Sequence, residues 1–221
     1  MMLDKQQENF LSWFNSLPSS TELGFNYTQN KYVKLAPILG YKFCNVSDAY
    51  RVTFDDSLKK SLVRLGLNVV MPNITTFNSY LNGILCRSVS EKKFINFKMN
   101  DVPYGIGINN KPYNFPWLVV ESHIDSDLLR RFYPFVIASN GVHVSNVLLQ
   151  FLKMTAPYCL IGFDNDDTGD RAYYIIRKKI NCERFPVPFN KKDFGELIED
   201  EAIWLLAKDY FKSYFSSLLH V

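Results

Sequence analysis

Residues 117–180, WLVVESHIDSDLLRRFYPFVIASNGVHVSNVLLQFLKMTAPYCLIGFDNDDTGDRAYYIIRKKI, decide the fold of this chain. Two short apolar runs, Leu118-Val119-Val120 and Cys159-Leu160-Ile161-Gly162-Phe163, each end abruptly in carboxylates. Glu121 and Asp125 follow the first, Asp164 and Asp166 the second. Runs of this kind read as strands buried on both faces, and in an open α/β sheet the carboxyl ends of parallel strands form the ligand crevice. Both acidic clusters then fall at one edge. Carboxylates gathered there repel one another unless a cation sits between them, and Mg²⁺ favours one or two carboxylates plus substrate phosphates. A metal-dependent phosphate site is the resulting expectation.

Working outward, strands are expected at Trp117 to Val120, Phe135 to Ser139 and Tyr158 to Phe163. Helices are expected between and after them, at Ser126 to Phe132, Val144 to Lys153 and Thr168 to Lys179. This alternation predicts a mostly parallel sheet flanked by helices. The tail from Asp193 to Leu219 reads as one or two helices with Leu197, Ile198, Ala202, Leu205 and Leu206 on the apolar face.

Upstream the pattern differs. Phe10, Leu11, Trp13, Phe14 and Leu17 have near-helical spacing and stop at Pro18, and Asp55 to Gly66 is a second helix with an acidic start and a glycine end. From Asn68 the signals are strands: Val69-Val70-Met71, then Ile74 to Tyr80 joined to Ile84 to Val89 through Leu81-Asn82-Gly83, read as a tight Asn-Gly turn. A further strand, Lys92 to Lys98, alternates so that one face holds Lys93, Ile95 and Phe97 and the other Lys92, Phe94, Asn96 and Lys98. With Arg87 nearby, these cations either grip phosphates or form an ordinary solvated face. Asp101 to Pro116, with three prolines and two glycines, reads as a linker. The expected organisation is a smaller, basic α+β subdomain over residues 1–112, an α/β domain over 113–190 and a helical segment over 191–221.

At 221 residues, 47% apolar and 15% aromatic, the chain has enough material for a full core, which excludes a disordered class. A net charge of +3 is only mildly basic, so binding to a polyanion has to come from local clustering. Cys44, Cys86, Cys159 and Cys182 are far apart, with no C-x-x-C pair, which argues against a zinc module and for reduced thiols. Acidic Asp4 and Glu8 near the N-terminus are unlike a signal peptide, and no apolar run is long enough to span a bilayer. A soluble, cytoplasmic protein with no membrane contact is expected.

Taken together, Glu121-Ser122-His123-Ile124-Asp125 after one strand and Asp164-Asn165-Asp166-Asp167-Thr168-Gly169 after another resemble the Toprim domain. That domain is shared by bacterial-type primases, topoisomerases and some nucleases, and Ser122 stands where its members usually have glycine. Flanking segments bring the resemblance closer to the RNA-polymerase core of DnaG-type primases. These are Asn82-Gly83-Ile84 through Arg87 to Lys93-Phe94-Ile95-Asn96, the short Tyr104-Gly105-Ile106, the loop Asn140-Gly141-Val142, and Phe185-Pro186-Val187-Pro188 with Lys192-Asp193-Phe194-Gly195-Glu196-Leu197. The resemblance covers roughly residues 50 to 200.

The resemblance implies a Toprim-type sheet preceded by the smaller subdomain, and catalysis by Glu121, Asp164 and Asp166 with Mg²⁺ or Mn²⁺. Asp125 and Asp193 are added as metal ligands, although each also reads as a helix cap. Arg87, Lys92, Lys93, Asn96 and Lys98 would hold the nucleic acid or nucleotide. The implied partners are a single-stranded DNA template, NTPs and a replicative helicase or other replisome protein in a separate chain, as in a phage-like system. His123 has no second histidine near it, and Ser122 and Ser139 lack a Ser-His-Asp arrangement, so none of the three is expected to do chemistry. A Toprim nuclease and a non-catalytic nucleic-acid-binding or replisome-interaction protein are the alternative expectations.

Overall fold

The computed structural model describes residues 5–19, 36–37, 39–74, 81–91, 93–99 and 113–219, and these form two compact units. In the first unit, α1 (Lys5–Asn15), α2 (Val46–Tyr50) and α3 (Asp56–Leu65) accompany an antiparallel sheet. Its strands are β1 (Lys42–Cys44), β2 (Asn68–Ile74), β3 (Leu81–Ser88) and β4 (Phe94–Lys98), in the order β1-β2-β3-β4. The ends of α3 are set as its sequence dictates. The Asp55 carboxylate accepts from the Leu58 amide at its start, and Gly66, at φ 72°, closes it in a conformation that favours glycine. Its buried Leu58 and Leu62 meet Phe10, Trp13 and Phe14 of α1 and Val70, Ile84 and Cys86 of the sheet in one core.

The expected Asn-Gly turn is not there: Leu81, Asn82 and Gly83 lie inside β3, and Gly83 pairs with both Asn73 and Lys98. Glycine is required for a different reason. A Cβ at Gly83 would collide with the Phe97 carbonyl, so the residue lets two backbones approach closely rather than reversing the chain. The connection from 75 to 80, which includes most of the strand expected at Ile74 to Tyr80, lies outside the described residues. So do residues 101–112 of the expected linker, Tyr104-Gly105-Ile106 among them.

The second unit carries a four-stranded, wholly parallel sheet of β5 (Trp117–Val120), β6 (Val136–Ala138), β7 (Cys159–Gly162) and β8 (Cys182–Arg184). Three crossover helices connect them: α4 (His123–Leu129), α5 (Asn146–Thr155) and α6 (Asp167–Arg177). A 3₁₀ helix (Phe194–Ile198) and α7 (Glu201–Leu219) complete the unit. Every residue of β5, β6 and β7 is buried, which is why these strands are uninterrupted apolar runs rather than alternating ones. The strand order β6-β5-β7-β8 reverses direction at β5: the chain steps to one side for β6, then crosses back to the other for β7 and β8. The β5/β7 boundary is therefore the topological switch point, and the crevice beyond its carboxyl ends is where such sheets take ligands.

The apolar face of the tail differs from expectation. Leu205 and Leu206 point outward, at 54% and 58% exposure, while Ala207, Phe211 and Phe215 are fully buried. Their four-residue spacing puts these three on one stripe of α7, which seats the rings against Phe185, Phe194 and Tyr133. Aromatic volume, not the leucine pair, sets the rotation of this helix. All four cysteines are buried and free. Among the described residues no helix is long and apolar enough to cross a membrane.

Candidate metal and phosphate site

Glu121 follows β5 directly and Asp164 follows β7 by two residues; the two strands are paired, with Val120 opposite Gly162. The Asp164 amide donates to the Glu121 carboxylate, so the two acids meet across the switch point. Burial, then repulsion from Asp164 and from Asp166, pushes the Glu121 carboxyl above the usual glutamate range. Its backbone is fixed as well. The Gly141 amide donates to the Glu121 carbonyl, while the Ser139 hydroxyl donates to the carbonyls of Val120 and Gly141. Ser139 is thus committed to holding the loop, consistent with its exclusion as a nucleophile.

Asp166 is the N-cap of α6: one carboxylate oxygen accepts from the amides of Thr168 and Gly169 at 3.0 and 2.9 Å. The Gly169 amide, followed by the Lys192 ammonium, holds its carboxyl below the usual aspartate range. The other oxygen faces Lys192, whose Nζ lies 3.2 Å from Asp166 Oδ2 and 3.8 Å from Asp164 Oδ2. The two aspartates therefore share one cation, as the D-x-D spacing predicts for side chains two apart. Asn165 between them points elsewhere, donating to the carbonyls of Val187 and Lys191.

The remaining expected ligands sit differently. Asp125 is buried in the first turn of α4, its carboxylate 2.6 Å from the hydroxyl of the N-cap Ser122, which also accepts from the Asp125 amide. Asp193 is the N-cap of the 3₁₀ helix and accepts from the Glu196 amide at 2.8 Å. Both act as terminus-fixing groups in this structure. His123 is buried at the start of α4. Among the described residues, no three His, Cys, Asp or Glu side chains close into a ready-made metal cage. Mg²⁺ does not require one, since one or two carboxylates completed by phosphate oxygens and water suffice, and a pair that already accommodates a shared cation fits that demand.

Sequence reasoning missed four residues that build this edge. Arg184, in β8, donates to the carbonyls of Ile161, Phe163 and Asp164 and to the Asp170 carboxylate, clamping the chain as it leaves β7. Gly169 must be glycine because a Cβ there would collide with the Asp164 carbonyl; its position three residues after Asp166 was the available signal. Lys192 was visible only as part of a motif and Asn165 only as the residue turned away from the two aspartates, and the partners that give them their roles lie more than twenty residues away in the chain.

On the first unit, the cross-strand register puts Arg87 opposite Phe94, Leu85 opposite Asn96 and Gly83 opposite Lys98. Arg87, Phe94, Asn96 and Lys98 therefore share one face, while Cys86, Ile84, Ile95 and Phe97 occupy the other, as the alternation predicts. Phe94 is 65% exposed there, a large ring left in solvent beside cations. Lys93 pairs with Glu91 at 2.6 Å. Lys92 lies outside the described residues.

The chain is similar to known proteins over this region and beyond it. Residues 118–198 match the family model described as Toprim-like. No curated protein matches the sequence. Among solved structures, a DNA primase domain from Pseudomonas aeruginosa is 15% identical with a TM-score of 0.62, the alignment covering 89% of this chain and 75% of that one. The DnaG primase catalytic domain bound to ssDNA is 15% identical with a TM-score of 0.61, covering 92% and 77%. The zinc-binding and RNA polymerase domains of the Aquifex aeolicus primase are 18% identical with a TM-score of 0.62, covering 93% of this chain and 60% of that one. The acidic edge thus lies within the stretch that is similar to the Toprim-like family model. In fold the chain is similar to DnaG-type primase catalytic cores.

Proposed function

We propose that the protein is a primase-like nucleotidyltransferase that joins ribonucleotides into short RNA primers on single-stranded DNA, using Mg²⁺ or Mn²⁺. The observation that carries this reading is the meeting of Glu121, Asp164 and Asp166 at the switch point of a sheet whose fold is that of primase cores. Asp164 and Asp166 would hold the metal, which when bound offsets charge on the triphosphate and its leaving group. Asp125 and Asp193 support the site at two helix starts, and Asp125 could join the ligand set only by giving up the hydroxyl of the N-cap Ser122, Asp193 only by giving up the Glu196 amide.

Glu121 is the group suited to move a proton. A carboxylate partly withdrawn from water and repelled by two aspartates has raised affinity for a proton, and its carboxylate oxygen is the natural acceptor for the proton of the attacking hydroxyl. Arg184 and Gly169 preserve the position of Asp164, and Ser139 that of Glu121. On the first unit, Arg87, Lys93 and Lys98, with Lys92, would contact phosphates; Asn96 adds a polar contact and Phe94 a stacking surface for a base. A replicative helicase or another replisome protein is the expected partner. Incubation with single-stranded DNA, the four NTPs and Mg²⁺ or Mn²⁺ tests the reading: template-dependent RNA products are expected. Cleavage of the DNA without synthesis, or no reaction with either metal, overturns it.

A further inference from the structure

Between Arg184 and the 3₁₀ helix the chain makes a loop that returns to the acidic edge and is pinned there by one side chain. Asn165 donates from Nδ2 to the carbonyls of Val187 and Lys191 at 2.8 and 2.9 Å, and its Oδ1 accepts from the Val187 amide at 3.2 Å. Its own amide donates to the Lys192 carbonyl at 2.8 Å. At the far end the Lys192 amide donates to Glu196 at 2.9 Å. The residue delivered by this clasp is Lys192, with Nζ between Asp166 and Asp164 at 3.2 and 3.8 Å. Its side chain is 54% exposed, so the ammonium can leave for water without any rearrangement of the core. Neighbouring Lys191 shares the loop and the charge but has no ion pair with either aspartate among the described contacts.

We propose that Lys192 is a tethered counter-ion of the Asp164 and Asp166 pair, a positioning residue that competes with a divalent cation for both carboxylates and thereby sets the metal affinity of the site, with Asn165 as the tether. The proposal rests on the reading of this pair as the metal site. The physical reason is that a monovalent ammonium bridging two carboxylates must give up those contacts before a divalent ion takes both. Holding the loop at five hydrogen bonds keeps the ammonium at high local concentration and makes it an effective competitor.

The test is Mn²⁺ titration of the full chain, followed by the electron paramagnetic resonance signal of free Mn²⁺, with thermal denaturation in EDTA alongside. Lys192→Gln should bind Mn²⁺ about three- to tenfold more tightly than the unaltered protein while melting at lower temperature in EDTA. A merely structural lysine would lower both together. Lys192→Arg, which keeps the charge, should return affinity towards the original value, and Lys191→Gln, which removes an equal charge outside the clasp, should change it less than about twofold. Asn165→Ala removes no charge, yet should raise affinity in the same direction as Lys192→Gln. Equal or weaker binding by Lys192→Gln overturns the proposal, as does an equal gain in Lys191→Gln; a folded Asn165→Ala protein with unchanged affinity overturns the tether. Failure of the underlying reading looks different, because Mn²⁺ binding would then be insensitive to Asp164→Asn.

Discussion

The acidic edge of the parallel sheet and the exposed face of β3 and β4 place charge by opposite means. At the edge, much of the framework is set by hydrogen bonds to backbone amides and carbonyls. Glu121 is met by the Asp164 amide, Asp166 by two amides of α6, and the Asp164 carbonyl by Arg184. On the β3–β4 face, Arg87, Phe94, Asn96 and Lys98 are together only because strand pleating turns alternate residues to one side. The first arrangement is suited to placing charge to within a fraction of an ångström, as chemistry demands. The second offers a ring and long flexible cations, which suits a ligand gripped by its phosphates and bases regardless of sequence.

This contrast predicts all-or-none behaviour at the edge. Asp164→Asn and Asp166→Asn together keep the side-chain shapes and remove the charges, so primer synthesis should fall by more than about 100-fold, beyond the loss usual for groups that only orient metal ligands. Far-ultraviolet circular dichroism should be unchanged. Substantial synthesis by the doubly substituted protein would remove the metal assignment and leave the two regions without the proposed division of roles.

Gly169→Ala tests whether the edge depends on close backbone packing. Helix propensity alone favours alanine by about 1 kcal/mol, but the new Cβ would meet the Asp164 carbonyl, so the turn must open. A net loss of about 2–4 kcal/mol in denaturant unfolding is expected, accompanied by weaker metal binding as Asp164 moves. A stabilised protein with intact metal affinity would show that the turn has slack and that the edge is less rigid than its hydrogen bonds imply.

The β3–β4 face should instead respond in small, additive steps. Phe94→Ala should weaken single-stranded DNA binding by about 1–3 kcal/mol, with little dependence on sequence. Lys98→Gln should weaken it less and reduce the slope of log affinity against log salt by about one. Fluorescence anisotropy at several salt concentrations measures both. If neither substitution alters affinity, the face is an ordinary solvated surface and the comparison collapses to the acidic edge alone.

The same contrast explains what was legible in the sequence. Faces made by local periodicity could be read: the alternation from Phe94 to Lys98 held, as did the α3 boundaries at Asp55 and Gly66, and the three apolar strands expected to end at Val120, Ser139 and Phe163 end at Val120, Ala138 and Gly162. Glu121, Asp164 and Asp166 were legible because parallel strands bring their carboxyl ends to one edge whatever the intervening sequence. What escaped depends on partners distant in the chain. Gly83 signals a turn by composition, and only the approach of the Phe97 carbonyl shows why it lies in mid-strand. β8 is three residues long and too short for a periodic signal, yet it carries Arg184. The rotation of α7 follows from which rings fit against Phe185 and Tyr133, so that Leu205 and Leu206, the more obvious core candidates, face outward.

The smallest predicted effect is the most specific to the electrostatics of the edge. Glu121 has its carboxyl raised by burial first and by Asp164 and Asp166 next, effects only partly opposed by Lys192 and the Asp164 amide. A group with a raised folded-state value contributes stability that is complete below the ordinary glutamate range and lost as pH rises through the folded value. Asp166 runs the other way, its lowered value contributing stability above the ordinary aspartate range that is lost in acid. The unaltered protein sums both trends, so its own pH profile does not separate them. The difference between it and Glu121→Gln does, because glutamine cannot ionise while Asp166 is common to both proteins. In urea unfolding with EDTA present, Glu121→Gln should be more stable at pH 8, where the partly buried carboxylate is ionised against its neighbours' charge. The advantage should vanish as pH falls below about 4, where glutamate is protonated in both folded and unfolded chains. Equal stability at pH 8, or an advantage that grows towards acid, would mean that Glu121 is not held against its neighbours' charge, and the case for it as the proton acceptor would go with it.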